Sequence, residues 1–267
     1  MDRILAAGAR ISLTDVTGKP ALVLWLCKCS LKCPFCHNYP VADALPEACR
    51  EYSVEELAGM VREASRIVEA FMATGGEPLL QAEKLAPVLE EAKRSGLEVW
   101  INTSLTPYKP LEELLSRGLV DGVATDLKYP PELLTGLPLE PARRYLENLL
   151  NGLKLVASYK VMVELRIPVP RGVEGYSEGL SNILASAAKA LASTRWWVIV
   201  NPLRGPPLVE VRDPEWCRRY CNPSREELSL VERIAVRYCR RVRVVWPKVR
   251  GYRVKPQATR PSGEVVF

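Results

Sequence analysis

The sequence predicts an α/β fold in which a mainly parallel β-sheet is flanked by helices. The order of the predicted elements supports this class, and the composition supports a folded domain of this size. Short apolar segments typical of strands alternate with amphipathic helical segments, and the alternation repeats about six times along the chain. Hydrophobic residues make up 48% of the 267 residues, which is enough to fill a substantial core.

The predicted elements follow one another in strand–helix order. Ser53-Val54-Glu55-Glu56 has the pattern of a capping box, so we expect an amphipathic helix from Ser53 to about residue 70. Gly96 is expected to close the next helix. The predicted strands span 10–15, 21–26, 71–74, 97–102, 122–127, 161–167 and 196–200. The predicted helices span 53–70, 81–95, 111–117, 141–156 and 176–192.

Three cysteines follow the second predicted strand at unusual spacing. Cys29, Cys33 and Cys36 form a C-x3-C-x2-C pattern, with the aromatic Phe35 directly before the last thiol. Iron–sulfur clusters are normally held by four thiolates, so three thiols would leave one iron of a [4Fe-4S] cluster open for chemistry. Two alternatives stay open: a zinc site that adds His37, and a disulfide with one spare thiol.

A second motif ends the third predicted strand. Phe71-Met72-Ala73-Thr74 runs into Gly75-Gly76-Glu77-Pro78. The two glycines permit backbone torsions closed to other residues and let a ligand approach the main chain. Pro78 is favoured in the first turn of a helix. An ordinary strand-to-helix turn could have the same residues. Here the motif follows the cysteine pattern by one predicted helix, which favours a ligand-binding role.

Polar residues also follow the other predicted strands. In a parallel barrel, active-site residues lie at the carboxyl ends of the strands. We therefore expect one cavity lined by Glu77, Asn102, Thr103, Ser104, Asp126, Lys128, Glu164, Arg166 and Asn201. Asp126 and Lys128 are two residues apart on a strand end and point to the same face, where they could form an ion pair or meet a zwitterionic ligand.

The cysteine pattern and the Gly-Gly-Glu turn together resemble the radical S-adenosylmethionine (SAM) superfamily. The resemblance implies an open, partial (β/α)6 barrel with a C-terminal extension. It implies that Cys29, Cys33 and Cys36 hold a [4Fe-4S] cluster, and that SAM is cleaved reductively to a 5′-deoxyadenosyl radical that abstracts hydrogen. It implies a SAM pocket formed by Phe35, Thr74, Gly75, Gly76, Glu77, Asn102, Thr103, Asp126, Lys128 and Arg166.

Within that superfamily, residues 10–170 are most similar to the activating enzymes of glycyl-radical proteins. The features that carry this likeness are Ser12-Leu13-Thr14-Asp15-Val16-Thr17-Gly18-Lys19, Cys36-His37-Asn38 and Asp126-Leu127-Lys128. The likeness implies a glycine of a partner glycyl-radical enzyme as substrate and a ferredoxin or flavodoxin as electron donor. One departure is Cys27-Lys28, where these relatives commonly have Gln-Gly. We expect Cys27 to be a buried structural cysteine, with a redox or ligand role as the alternative.

The last third of the chain has no such likeness. We expect a radical SAM domain over residues 1–205 and a basic, cysteine-containing extension over 206–267. Three interpretations of Cys217, Cys221 and Cys239 stay open: an auxiliary cluster or metal site, a disulfide, or separate buried thiols. Residues 240–267 contain eight lysines and arginines and a single acidic residue, Glu264. This tail could bind nucleic acid, dock an acidic partner or remain solvated.

The distribution of apolar residues predicts where in the cell the protein is located. No apolar run approaches the ~20 residues of a membrane span, and the first residues start no convincing signal peptide. We therefore expect a cytoplasmic enzyme, a location that suits an oxygen-sensitive cluster. Two other functions remain: a radical SAM enzyme that modifies a nucleic acid or small metabolite, and a non-enzymatic module that binds zinc or a cluster and recruits a partner.

Overall fold

The computed structural model describes residues 3–246 and builds them around one sheet. The basic tail lies mostly outside the described residues. The strands are β1 (Arg3–Val16), β2 (Lys19–Leu26), β3 (Arg50–Ser53), β4 (Ala70–Gly75), β5 (Glu98–Asn102), β6 (Gly122–Asp126), β7 (Met162–Val169), β8 (Trp196–Pro202) and β9 (Val242–Val244). Their order in the sheet is β3-β1-β2-β4-β5-β6-β7-β8-β9.

Helices cover the outer face of the sheet. They are α1 (Tyr39–Ala42), α2 (Val54–Ala64), α3 (Ala82–Arg94), α4 (Tyr108–Ser116), α5 (Pro131–Leu134), α6 (Leu139–Ser158), α7 (Ser177–Ala190), α8 (Pro214–Tyr220) and α9 (Arg225–Ala235). The main apolar core lies between the sheet and helices α2, α3, α4, α6, α7 and α9, whereas α5 and α8 contribute Leu134 and Cys217 to a separate apolar cluster. No helix within residues 3–246 is both long enough and apolar enough to cross a membrane.

From β2 to β9 every neighbouring pair of strands is parallel, whereas β1 runs antiparallel to β2 and β3. The pairing between described strands stops at β3 on one side and β9 on the other, so the sheet curves without closing. The expected α/β class and open partial barrel are confirmed. The expected boundary after residue 205 stays a prediction; beyond it, β9 extends the sheet and α9 packs into the main core.

The interior of the barrel away from the carboxyl ends of the strands is filled by side chains. Val23, Met72, Trp100 and Ala124 point inward from consecutive parallel strands, and Trp197 packs on Trp100 with ring centroids 5.7 Å apart. The open cavity must therefore lie at the carboxyl ends of the strands.

The β1–β2 hairpin braces the open side of the barrel. Thr17 at its tip donates a hydrogen bond to Glu164 at 2.5 Å, and Arg166 donates to the backbone carbonyl of Asp15 at 3.1 Å. Glu164 and Arg166 also pair with each other at 2.7 Å. The hairpin thus reaches across to β7, although the two strands are far apart in the sheet.

Two predicted bounds were wrong. The capping box at Ser53 is present, but α2 ends at Ala64, and Ala70 is the first residue of β4 rather than the end of a helix. Glu69 already joins the sheet, because its NH donates to the Pro20 carbonyl and its carbonyl accepts from Glu98. The predicted strand at 10–15 is part of the 14-residue β1.

Candidate active site

One cavity of about 680 Å³ opens at the carboxyl ends of the parallel strands. Its wall contains every residue expected at the cluster and SAM sites: Cys29, Cys33, Phe35, Cys36, Thr74, Gly75, Gly76, Glu77, Asn102, Thr103, Asp126, Lys128 and Arg166. Ser104 and Asn201 also line it, whereas Glu164 lies below it, buried beneath Arg166. The placement follows from strand periodicity, since Thr74, Asn102 and Asp126 lie two residues beyond Met72, Trp100 and Ala124 on the same inner face.

The three cysteines of the pattern lie on the loop after β2, residues 29–36, which we call the cysteine loop. All three are free thiols. The loop is held by its backbone, since Lys32 NH donates to the Thr135 carbonyl and Cys36 NH donates to the Cys33 carbonyl, both at 3.1 Å. Burial raises the pKa of Cys33 to about 12, against the opposing effect of the Lys128 charge. Burial also raises the pKa of Cys29 and Cys36.

The donor set fits a cluster better than a single ion. Three free thiols face one cavity, and thiolates are the ligands that iron–sulfur clusters take. Within the described residues, no three Cys, His, Asp or Glu side chains converge closely enough to hold one metal ion. His37 instead places Nε2 3.0 Å from the Arg204 carbonyl. These observations argue against the zinc site of three cysteines and His37.

Lys128 and Asp126 form an ion pair in the cavity wall. The Nζ–Oδ2 distance is 3.0 Å, and only 9% of the Lys128 side chain is exposed. Burial disfavours the charged form of both groups, but the mutual attraction is stronger: the pKa of Lys128 is raised and that of Asp126 is lowered. Tyr145 on α6 donates to the Asp126 carbonyl at 2.7 Å, a support that sequence analysis missed.

The two glycines let the end of β4 touch the start of the cysteine loop. Gly75 has φ +111°, and a Cβ there would lie 2.4 Å from the Leu26 carbonyl oxygen. A Cβ on Gly76 would lie 2.1 Å from the Lys28 carbonyl oxygen. That oxygen accepts a hydrogen bond from the Glu77 NH at 2.8 Å. The Gly-Gly pair is therefore required by the approach of two backbones, in addition to any contact with a ligand.

Glu77 is buried, and its carboxylate is already hydrogen-bonded. It accepts from the Thr103 hydroxyl at 2.6 Å, from the Ser104 NH at 2.8 Å and from the Ser104 hydroxyl at 2.6 Å. The NH of Leu79 donates to it at 3.2 Å. The carboxylate thus joins the ends of β4 and β5. Its expected contact with a ligand stays a prediction.

Asn102 and Thr74 meet on the same wall. The Asn102 amide donates to the Thr74 hydroxyl at 3.0 Å, so these two polar side chains of β5 and β4 support each other. They leave a polar surface beside the Asp126–Lys128 pair. Arg166, further along the wall, directs its guanidinium to Glu164 and to the hairpin.

Four of the remaining cysteines pair as disulfides. Cys27 bonds to Cys49, and Cys217 bonds to Cys221, which is one of the three alternatives considered for the late cysteines. Cys239 is a buried free thiol. Cys27 is fully buried, as expected. Its partner was not predicted, because Cys27 and Cys49 are brought together only when β1 pairs with both β2 and β3.

Residues from beyond β8 complete the cavity. Leu203, Arg204 and Arg212 line it together with the cysteine loop. These three residues were not predicted, because they lie in an irregular segment with no motif. The prolines and glycines of this segment indicate a loop, but they do not predict that the loop lies at the cavity.

Comparison with known proteins agrees with this geometry. The model of the family described as the radical SAM superfamily matches residues 24–174, which is more than half of the chain. A protein of Methanocaldococcus jannaschii named as a glycyl-radical enzyme activating enzyme is 32% identical over 128 residues, covering 48% of this chain and 51% of that protein. A 7-carboxy-7-deazaguanine synthase of Hyperthermus butylicus is 37% identical over 103 residues, covering 38% and 42% of the two chains.

The chain thus spans about half the length of these curated relatives. Among solved structures, SuiB of Streptococcus suis superposes with a TM-score of 0.56 at 13% identity, covering 82% of this chain and 47% of SuiB. That likeness concerns the fold alone. With the family match over residues 24–174, and the three thiols and the Gly-Gly-Glu turn in one cavity, the chain belongs to the radical SAM superfamily.

Proposed function

We propose that this chain cleaves SAM reductively at a [4Fe-4S] cluster and activates a glycyl-radical enzyme. The observation that carries the proposal is the single cavity in which three free thiols, the Gly-Gly-Glu turn and the Asp126–Lys128 pair lie together. When bound there, the cluster and SAM supply the one-electron chemistry that yields a 5′-deoxyadenosyl radical able to take a hydrogen atom from a substrate.

The residues of the chain bind and orient the reactants. Cys29, Cys33 and Cys36 would hold the cluster and leave one iron without a protein ligand. Gly75 and Gly76 expose backbone at the end of β4, next to the Thr74 hydroxyl. The polar wall of Asn102 and Thr103 provides groups that can hydrogen-bond a ribose. Asp126 and Lys128 present a carboxylate and an ammonium, which complement the amine and carboxylate of an amino acid. Phe35 and Arg166 also line this pocket.

The proposed substrate is a glycine in a loop of a partner glycyl-radical enzyme, which would enter the open cavity. Support comes from relatives named as activating enzymes of such proteins and from the likeness of residues 10–170 to that group. A ferredoxin or flavodoxin is the proposed electron donor.

The first test is SAM cleavage. The protein is reconstituted anaerobically with iron and sulfide, reduced with dithionite and supplied with SAM, and 5′-deoxyadenosine is measured by mass spectrometry. We expect product from the wild type and none from Cys33→Ala. Cys239→Ala is the matched control, because Cys239 is also a buried free thiol but lies outside the cavity.

A wild type that carries a full cluster, binds SAM and yields no 5′-deoxyadenosine, with or without a glycyl-radical partner, would contradict the proposal. If cleavage occurs, a glycyl radical detected by electron paramagnetic resonance on the partner would establish the substrate.

A second candidate is a radical SAM enzyme acting on a small metabolite. The relative named 7-carboxy-7-deazaguanine synthase favours it, because that relative matches this chain over 103 residues. Deuterium that passes from a labelled small-molecule substrate into 5′-deoxyadenosine, in the absence of any protein partner, would select this candidate over the first. Nucleic-acid binding by the basic tail stays a prediction, since the tail lies mostly outside the described residues.

A further inference from the structure

The segment that joins β8 to α8 is attached to the cysteine loop. The backbone NH of Arg212 donates to the Cys36 carbonyl at 3.1 Å, and the NH of Asp213 donates to the Pro34 carbonyl at 2.9 Å. Trp216 packs on Phe35 of the loop with ring centroids 6.1 Å apart. The loop is thus held by residues that lie outside the matched family region of 24–174.

The side chain of Arg212 makes the strongest of these contacts. Its Nη1 donates to the carbonyl of Cys33 at 3.0 Å. Its Nη2 and Nε donate to the two carboxylate oxygens of Asp43 at 3.0 and 3.3 Å. The side chain is 16% exposed. A planar guanidinium can satisfy several acceptors at fixed angles, which a flexible ammonium cannot do.

Asp43 gives the Arg212 guanidinium a second, indirect connection to the cysteine loop. Lys32, inside the cysteine loop, donates to Asp43 at 2.5 Å. Arg212, Asp43 and Lys32 therefore form a group with two positive charges and one negative charge. Of these three side chains only Arg212 lines the cavity with the three thiols, so its guanidinium is the charge of the group that faces the proposed cluster site.

We infer that Arg212 is a positioning residue for the cluster: it fixes the cysteine loop through the Cys33 carbonyl and holds a positive charge beside the bound group. This inference rests on the proposed function. Outer groups that orient metal ligands are commonly worth ten- to a hundred-fold in metal affinity. A fixed positive charge favours the reduced, more negative state of a cluster, so Arg212 raises the reduction potential.

The matched control is Arg218. It lies six residues further along, on α8, and pairs with Glu215, but its side chain is 62% exposed and does not line the cavity. Arg212→Gln removes both the charge and the planar guanidinium, and Arg212→Lys keeps the charge alone. Arg218→Gln removes a charge from the adjoining helix α8 without touching the loop.

The first measurement uses iron-free protein of the full chain. Hydrogen exchange of the peptide covering residues 32–38 is followed by mass spectrometry. We expect Arg212→Gln to speed exchange about ten-fold, since a charged hydrogen bond to the loop is lost, and Arg218→Gln to leave it unchanged. Unchanged exchange in Arg212→Gln would overturn the inference.

The second measurement uses the reconstituted holoprotein. We expect Arg212→Gln to lose its cluster to a ferrous chelator about ten-fold faster than the wild type, and its reduction potential to be lower. Arg212→Lys should recover the potential but not the slow loss of the cluster. A faster loss with an unchanged potential in Arg212→Gln would also overturn the inference, because a purely structural contact predicts that result.

The two proposals fail in different ways. A wild type that binds no cluster, together with the expected hydrogen-exchange result, would count against the proposed function while supporting the attachment of the loop by Arg212. A wild type with a full cluster and an Arg212→Gln variant that matches it in both measurements would overturn only the inference about Arg212.

Discussion

Lys128 donates to Asp126 at 3.0 Å, and this pair lies in the same cavity wall as the three free thiols. Burial raises the pKa of Cys29, Cys33 and Cys36, and the charge of Lys128 offsets part of that rise for all three thiols. One buried cation therefore acts on a carboxylate and on the proposed cluster ligands together.

Replacing Lys128 by Met should destabilise the iron-free protein by about 3 kcal/mol, because Asp126 keeps a partly buried charge without its partner. The double variant Asp126→Asn/Lys128→Met should recover part of that loss. Urea unfolding followed by circular dichroism measures both. Equal losses in the single and double variants would contradict this reason, because they would show that the unpaired Asp126 charge costs nothing.

Replacing Gly76 by Ala should disrupt the cysteine loop, because the new Cβ would lie 2.1 Å from the Lys28 carbonyl oxygen. We expect an unfolding free energy lower by several kcal/mol, on the order of other severe core clashes, and less iron bound per chain. Gly59→Ala is the control. Gly59 lies within α2, where an added Cβ meets nothing closer than 3.9 Å, so this variant should gain about 0.5–1 kcal/mol. Wild-type iron content in Gly76→Ala would contradict the close approach.

Replacing Glu77 by Ala should destabilise the protein before any cofactor is added. The Thr103 hydroxyl and the Ser104 NH and hydroxyl would lose a buried charged acceptor, which is worth about 3 kcal/mol or more in total. Unfolding of the iron-free protein tests this. A stability equal to that of the wild type would mean that Glu77 serves a ligand only and does not join β4 to β5.

The iron-free protein should lose stability as pH rises from about 9 towards 12. Burial raises the pKa of Cys33 to about 12, so the fold favours the neutral thiol. That stabilisation is complete below the ordinary thiol pKa and is lost as the pH passes through the raised value. Cys33→Ala removes the titrating group, so its unfolding free energy should fall less over this range. Parallel alkaline losses in the two proteins would exclude the effect.

The sequence predicted the features that depend on local pattern. The capping box at Ser53, the strand end at Asn102 and the cysteine loop after β2 all follow from short-range spacing and strand alternation, and the predicted ends of β4 and β6 are within one residue of Gly75 and Asp126. The polar residues expected in one cavity do line it, apart from Glu164, because strand ends meet at one edge of a parallel sheet.

Features that depend on tertiary context were missed. The end of α2 at Ala64 is set by the pairing of Glu69 with Pro20 and Glu98, which no window around residue 65 contains. The Cys27–Cys49 disulfide needs β1 between β2 and β3. Arg212 reaches Cys33 from 179 residues away along an irregular segment. Neither periodicity nor a motif marks such contacts.

The bracing of the hairpin by β7 also has a consequence for biosynthesis. Thr17 and Glu164 are separated by 147 positions, so after the β1–β2 hairpin is translated its tip can be secured only when that whole stretch of chain has followed. Closures over such distances slow folding, and strand edges stay uncovered in the interval. The β1–β2 hairpin and the strands next to it should therefore depend on protection by chaperones until β7 has been translated.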